Sequence, residues 1–245
     1  DGGFGSDTAS YAHSGTVVVA SLTSGLVVSV GDSVGDTFSG ITNLEGTDFA
    51  DTLIGDSAAN TLSGNDGDDT LEGLGGADAL VGGNGTDTAS YAHATSGVAV
   101  SLDTGLSGFV PLGDAVGDTF SSIENLSGSD YADTLIGDAG ANSINGGQGN
   151  DVLEGLVGGD VLNGGLGVNT ASYAHASAGV TATLSAGLVP TTGDAAGDSY
   201  FFIGNLTGSN YNDTLIGNSG ANVISGGLGD DFLEGQGGGD TLQGD

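Results

Sequence analysis

The sequence predicts an all-β repeat fold in which short strands stack along a solenoid. Three observations predict it. Glycine recurs on a nine-residue period, an Asp or Asn stands at the sixth place of each unit, and a Leu, Ile or Ala stands at the eighth. Nine-residue units of this kind signal a stacked array in which each unit buries its apolar residue only against its neighbours.

The elements follow in order along the chain. Residues 1–10 contain GGFGSDTAS, the end of a repeat block. Residues 11–45 form a first insert. Residues 46–90 are a first nonapeptide block: GTDFADTLI, GDSAANTLS, GNDGDDTLE, GLGGADALV and GGNGTDTAS. A second insert spans 91–127 and a second block spans 128–172, from GSDYADTLI to GGLGVNTAS. A third insert covers 173–207, and a third block covers 208–245. The inserts share YAH, a Val/Ala/Leu alternation, a GDxxGD hexapeptide and an apolar pair before the next glycine. Blocks and inserts read together as one continuous solenoid with a long period of 80 or 82 residues. The chain opens on Asp1-Gly2-Gly3 and closes on Gly244-Asp245, in mid-motif, so it reads as a piece of a longer protein.

Within a unit, about six glycine-rich residues form a turn and about three form a strand. Strand alternation points the eighth residue inward and its polar flanks outward. Glycine supplies positive φ and close backbone approach, which leaves carbonyl groups free to face a ligand.

Charge says what that ligand must be. The 245 residues include 51 glycines and 32 acids, with no lysine or arginine, for a formal charge of −32. Glycine entropy and self-repulsion both oppose folding, and the chain has no cationic side chain of its own to offset them beyond three histidines. Dissolved cations must do so. Carboxylate and carbonyl oxygens in flexible loops suit Ca²⁺ better than the strictly octahedral Mg²⁺. A polyanion without a basic patch is a poor partner for nucleic acid or an anionic membrane, and no apolar run approaches the roughly 20 residues of a membrane span. The absence of cysteine removes disulfide and thiol chemistry.

The units resemble the GGxGxDxUx nonapeptides of the RTX (repeats-in-toxin) family, the hemolysin-type calcium-binding repeats. The resemblance covers the blocks closely, and the inserts look like those of long RTX-type bacterial proteins. It implies a parallel β-roll, a right-handed β-solenoid with two nonapeptides per coil and several Ca²⁺ ions held between turns stacked on one side. It also implies type I secretion and folding triggered by extracellular calcium.

With two units per coil, same-side neighbours are units n and n+2. One edge of the first block then stacks Asp51, Asp69 and Asp87, and the other pairs Asn60 with Asp78. The second block stacks Asp133, Asp151 and Asn169, and pairs Asn142 with Asp160. The third pairs Asp213 with Asp231, and Asn222 with Asp240. Asp7 belongs to the earlier block. Asn keeps an oxygen but loses the charge, so its sites should be weaker, and the best should join GNDGDD to GGNGTD through Asp69 and Asp87. First units depart from the pattern, with Phe49, Tyr131 and Tyr211 where glycine stands fourth in most other units. Plain turn formation is the competing reading of all these acids. In the inserts, Asp36, Asp118 and Asp198 each precede an aromatic by two residues, as position 6 precedes position 8. They read either as degraded calcium turns or as plain turns.

Enzyme motifs do not hold up, and the chain is read as non-catalytic. Residues 31–35, GDSVG, match a nucleophile elbow, but Ser33 is replaced by Ala115 and Ala195 in the other copies and the strand–turn–helix context is missing. His13, His93 and His175 recur in YAH, roughly 22 Å apart at about 4.8 Å per coil. They cannot share an ion and read as surface or loop residues.

The expected function is a calcium-rigidified structural segment of a large secreted bacterial surface protein, such as a surface layer, adhesin stalk or extracellular fibre. Its partners are calcium ions and other copies in a fibre or lattice. The alternative is the C-terminal calcium-binding region of a type I-secreted enzyme or toxin. Ice or glycan binding on a flat face lacks a threonine or aromatic ladder. If each insert adds four half-coils, successive blocks start on opposite edges, with His13 and His175 on one and His93 on the other. A hairpin leaving the roll would change that parity.

Overall fold

A computed structural model describes residues 1–185 and 192–244, so part of the third insert lies outside the described residues. It is a parallel β-roll of strands three to six residues long, with three short 3-10 turns. Among the described residues there is no α-helix, and hence no helix long and apolar enough to cross a membrane. The chain divides into two compact units, 1–99 with 110–127, and 100–109 with 128–245.

In the first unit, successive nonapeptides alternate between two parallel stacks. One contains Thr8–Ser10, Asn43–Glu45, Thr61–Asp66, Ala79–Asn84 and Thr119–Ser121; the other contains Val19–Ser21, Thr52–Ile54, Thr70–Glu72, Thr88–Ser90 and Asn125–Ser127. Register follows the repeat: Leu44 pairs with Leu62 and Leu62 with Leu80, while Leu53 pairs with Leu71 and Leu71 with Ala89. These side chains meet in the core, where Leu53, Leu62, Leu71, Leu80 and Ala89 are fully buried. Each buried leucine contributes roughly 1.5–3 kcal/mol. The second unit repeats the plan, with Leu135, Ile144, Leu153, Leu162 and Ala171 in the same role.

Each insert does two things. Its closing strands, two in the second and third inserts and Asn43–Glu45 alone in the first, continue the block before it. Thr119–Ser121 pairs with the fourth nonapeptide strand, placing Phe120 beside Leu80, and Asn125–Ser127 pairs with the fifth. Its first strand instead pairs with the opening nonapeptide of the block that follows, as Val19–Ser21 does with Thr52–Ile54 and Thr181–Thr183 with Thr214–Ile216. Between them, single antiparallel bridges (Val19 to Val30, Thr181 to Thr192) fold the insert back on itself.

Among the described residues the second and third inserts therefore add two half-coils and one forward-reaching strand, not four half-coils. Two is also even, so the expected change of side survives. In the second unit the strands Thr134–Ile136, Val152–Glu154 and Asn169–Ser172, from odd nonapeptides, share a sheet with Val223–Ser225 and Thr241–Gln243, from even ones. In the first unit, the segment with His13 follows a strand of one stack and the segment with His93 follows a strand of the other.

A second departure concerns the outward flank. Ile54, Glu72 and Ser90, at the ninth place of odd nonapeptides, are buried rather than exposed, as are Ile136, Glu154 and Ser172. The chain of the inserts covers this flank: the Ala92 N–H donates to Ser90 Oγ, and the His93 N–H to Glu72 Oε1 at 2.8 Å.

Candidate metal centre

The turn of GNDGDD shows how each acid is set. Gly64 opens the turn with no space for a side chain, because a Cβ there would collide with Asp69 Oδ2 and stand 2.7 Å from the Gly82 carbonyl oxygen. Gly67, at the fourth place, has φ of +128° and lies against the Phe49 carbonyl, a conformation and a fit that only glycine tolerates well. The backbone so placed buries the Asp69 side chain to 1 % exposure. Its Oδ1 accepts the Asp51 N–H at 2.7 Å, from the turn 18 residues earlier. Its Oδ2 has no hydrogen-bond partner.

The same arrangement recurs. Buried, unpartnered Oδ2 atoms belong to Asp7, Asp69, Asp78, Asp87, Asp151, Asp160 and Asp231, every one at the sixth place of a nonapeptide. Their Oδ1 atoms build the ladder expected from the sequence. Asp69 N–H donates to Asp87, Asn60 to Asp78, Asp133 to Asp151, Asp151 to Asn169, Asn142 to Asp160, Asp213 to Asp231 and Asn222 to Asp240.

A buried carboxylate oxygen without a partner costs several kcal/mol if charged. Burial accordingly pushes the Asp69 and Asp160 carboxyls up to about 7, and Asp78 and Asp151 up to about 6. Backbone N–H donors oppose the rise, and neighbouring carboxylates such as Asp87 and Asp51 around Asp69 add to it. At Asp69 the oxygen of the Gly82 carbonyl stands beside Oδ2, and at Asp151 that of the Gly164 carbonyl does. An anion and a carbonyl converging on one point, in a chain without lysine or arginine, fit a hard cation held by oxygen alone. Among the described residues no three His, Cys, Asp or Glu side chains cluster around one point; the oxygens that meet at Asp69 and Asp151 are one carboxylate and one backbone carbonyl.

Other candidate acids stand differently. In the first units, Asp51 Oδ2 accepts the Thr47 N–H at 2.5 Å, and Asp133 and Asp213 accept those of Ser129 and Ser209 at 2.6 Å. The hydroxyls of the same residues donate to the other oxygen. These acids close their own turns. In the inserts, Asp118 and Asp198 do occupy the sixth-place position, accepting the N–H of Asp78 and Asp160. However, Oδ2 of each accepts a tyrosine hydroxyl, from Tyr91 at 2.9 Å and Tyr173 at 2.7 Å, as Asp36 does from Tyr11 at 2.7 Å. Burial raises the Asp118 and Asp198 carboxyls, and these hydroxyls partly lower them. Asp240 accepts the Asn222 N–H near the end of the described chain.

Sequence reasoning missed two sets of residues. The imidazole Nδ1 of His93 lies 2.8 Å from buried Glu72 Oε2, and that of His175 lies 3.0 Å from Glu154 Oε2. The signal was present: Glu occupies the ninth place only in the third unit of each block (Glu72, Glu154, Glu234). Glu124, whose Oε2 accepts the Asp87 N–H at 2.8 Å, carried no repeat signal, because Thr42 and Gly204 stand at its place in the other inserts. Ser33 is buried on a 3-10 turn, with Oγ 2.6 Å from the Val19 carbonyl, and its alanine counterparts are buried likewise.

A family model described as RTX calcium-binding nonapeptide repeat (4 copies) matches residues 36–61, 54–89, 119–153, 127–162, 137–171 and 207–242. None of the curated proteins compared matches the chain. With the family model matched over more than half its length, and with a parallel β-roll beneath it, the chain belongs to the RTX calcium-binding nonapeptide-repeat family and is a calcium-binding repeat region.

Proposed function

We propose that the chain is a calcium-rigidified structural segment of a large secreted bacterial surface protein, folding outside the cell and joining other copies in a fibre or surface lattice. One observation carries the reading. Buried carboxylate oxygens without a partner recur at the same repeat position, in a chain whose formal charge is −32 with no lysine or arginine. Such a chain folds only where a cation is supplied, so metal-binding energy becomes folding energy. It stays extended for export where calcium is scarce, and stiffens where calcium reaches about 10⁻⁴–10⁻³ M. On this reading the ions are held at Asp7, Asp69, Asp78, Asp87, Asp151, Asp160 and Asp231, with Asp240 completing the series where further repeats follow. Asp51, Asp133 and Asp213 serve chiefly to close turns, and Asp36, Asp118 and Asp198 to receive tyrosine.

The test is a calcium titration of the chelated chain, followed by circular dichroism and metal analysis, with sedimentation at saturation to detect assembly. Disorder in chelator, β structure with bound calcium, and poor substitution by Mg²⁺ are expected. A cooperative melt of the metal-free chain at neutral pH overturns the reading.

A further inference from the structure

We propose a calcium site outside the nonapeptide pairs, at the junction of the first block with the second insert, formed by Asp87 Oδ2 and the Ser122 carbonyl with Glu124 beside them. It rests on the calcium reading above and extends it to a residue the repeat pattern does not mark.

Asp87 is fully buried, and its Oδ2 has no hydrogen-bond partner. A Cβ placed on Gly82 would collide with both this oxygen and the Ser122 carbonyl oxygen, so the two acceptors converge on one point. That is the arrangement of Asp69 Oδ2 and the Gly82 carbonyl over Gly64, with an insert residue in place of the next nonapeptide's first glycine. Ser122 is held at φ of +52°, a region non-glycine residues enter rarely and at a cost. Glu124 brings a second carboxylate, its Oε2 accepting the Asp87 N–H at 2.8 Å just as a following sixth-place Asp would. Its charge adds to the burial that raises the Asp87 carboxyl. Calcium takes six to eight oxygens, and water or further carbonyls complete such a set.

The third insert supplies an internal control. There Asn169 stands for Asp87, Phe202 for Ser122 and Gly204 for Glu124. Asn169 Nδ2 donates to the Phe202 carbonyl at 3.1 Å, so an amide hydrogen joins the two groups. Asp87 has no hydrogen to place between its oxygen and the carbonyl, and a cation takes that part. The first insert keeps the carboxylate of Asp7, whose Oδ2 is also unpartnered, and the Gly40 carbonyl, but has Thr42 for the second acid. The order of affinity is therefore second junction, then first, with no site at the third.

Counting bound calcium by equilibrium dialysis tests this in the full chain. Asp87→Asn should lose one ion, and Glu124→Gln should weaken one site about tenfold, the order of one removed charge contact. The pair Asn169→Asp with Gly204→Glu should gain one ion; a Cβ at Gly204 meets nothing within 4 Å. A variant that merely unfolds cannot gain an ion, which protects the result from trivial loss. If the unmutated chain binds calcium but the count is unchanged in both Asp87→Asn and the double variant, the junction site is overturned: Asp87 leaves the set of ion-holding acids, and the calcium reading stands for the acids within the blocks. If the unmutated chain binds none, both fall.

Discussion

Replacing Asp69 by alanine should be far more damaging than replacing Asp66 three residues earlier, although both are acids of the same turn. Asp69 is 1 % exposed and accepts the Asp51 N–H at 2.7 Å. Its removal leaves a buried donor unsatisfied, at about 1–3 kcal/mol, and takes one anionic ligand from a buried cation, a loss of about 3–5 kcal/mol by analogy with broken buried ion pairs. The two are not additive, so the loss in saturating calcium is about 3–5 kcal/mol, set by the larger. Asp66 is exposed and accepts the Asn84 side-chain amide at 2.7 Å; its loss should stay within about 0.5 kcal/mol. Thermal melts with calcium titrations on both variants measure the difference. Asp69→Asn adds a check of sign. With calcium bound it should destabilise, having lost a charge that faced the ion. In chelator it should raise residual β content, because the buried carboxyl it removes titrates at about 7 rather than 3.8 and opposes folding when ionised. Equal calcium affinities for Asp69→Ala and Asp66→Ala would refute the register and the ligand role together.

Two further expectations follow from the same oxygens. Tyr91→Phe removes the hydroxyl that caps half-buried Asp118 Oδ2 at 2.9 Å; melting in saturating calcium should show a loss of about 1 kcal/mol, and an unchanged melting temperature would show that the contact does nothing. The chelated chain should gain structure on acidification. Asp69, Asp78, Asp151 and Asp160 titrate at about 6–7 when folded against 3.8 ordinarily. Between roughly pH 4 and 7 the folded state thus binds protons that the unfolded state does not, and stability falls as pH rises through that window. Circular dichroism from pH 7.5 to 4.5 in chelator checks this, and a flat profile would mean that the carboxyls are not buried.

The nine-residue register made much of the fold legible, because within a block the geometric relations are local or fall about 18 residues away. The stacking of Asp51 on Asp69 on Asp87, and the burial of Leu53, Leu62, Leu71 and Leu80, need nothing beyond that rule. Where the chain leaves the rule, sequence reasoning lost its way. Asp78 meets Asp118 across 40 residues, Val18 meets Asp51 across 33, and Tyr91 meets Asp118 across 27. Those distances depend on which strand the insert returns to, and no periodicity encodes that choice.

What the register could not decide is the chemistry of each sixth-place side chain. The same position is resolved in four physical ways. Asp69 leaves an oxygen bare, Asp51 receives the Thr47 N–H and hydroxyl, Asp118 receives the Tyr91 hydroxyl, and Asn60 turns an amide toward the Thr42 carbonyl at 2.8 Å. On the proposed reading only the first holds a cation. The distinguishing residue is never the acid itself but whatever stands over its second oxygen, which is a neighbour in space. In the first units that neighbour was also near in sequence: Thr47, Ser129 and Ser209 fill the second place in the same three units whose fourth place holds Phe49, Tyr131 and Tyr211. An hydroxyl at the second place and an aromatic at the fourth therefore mark a turn that closes on itself, whereas glycine stands fourth in every unit whose aspartate is left open. On the proposed reading the number of ions follows the aspartates whose second oxygen has no hydrogen within reach, and not the aspartates alone.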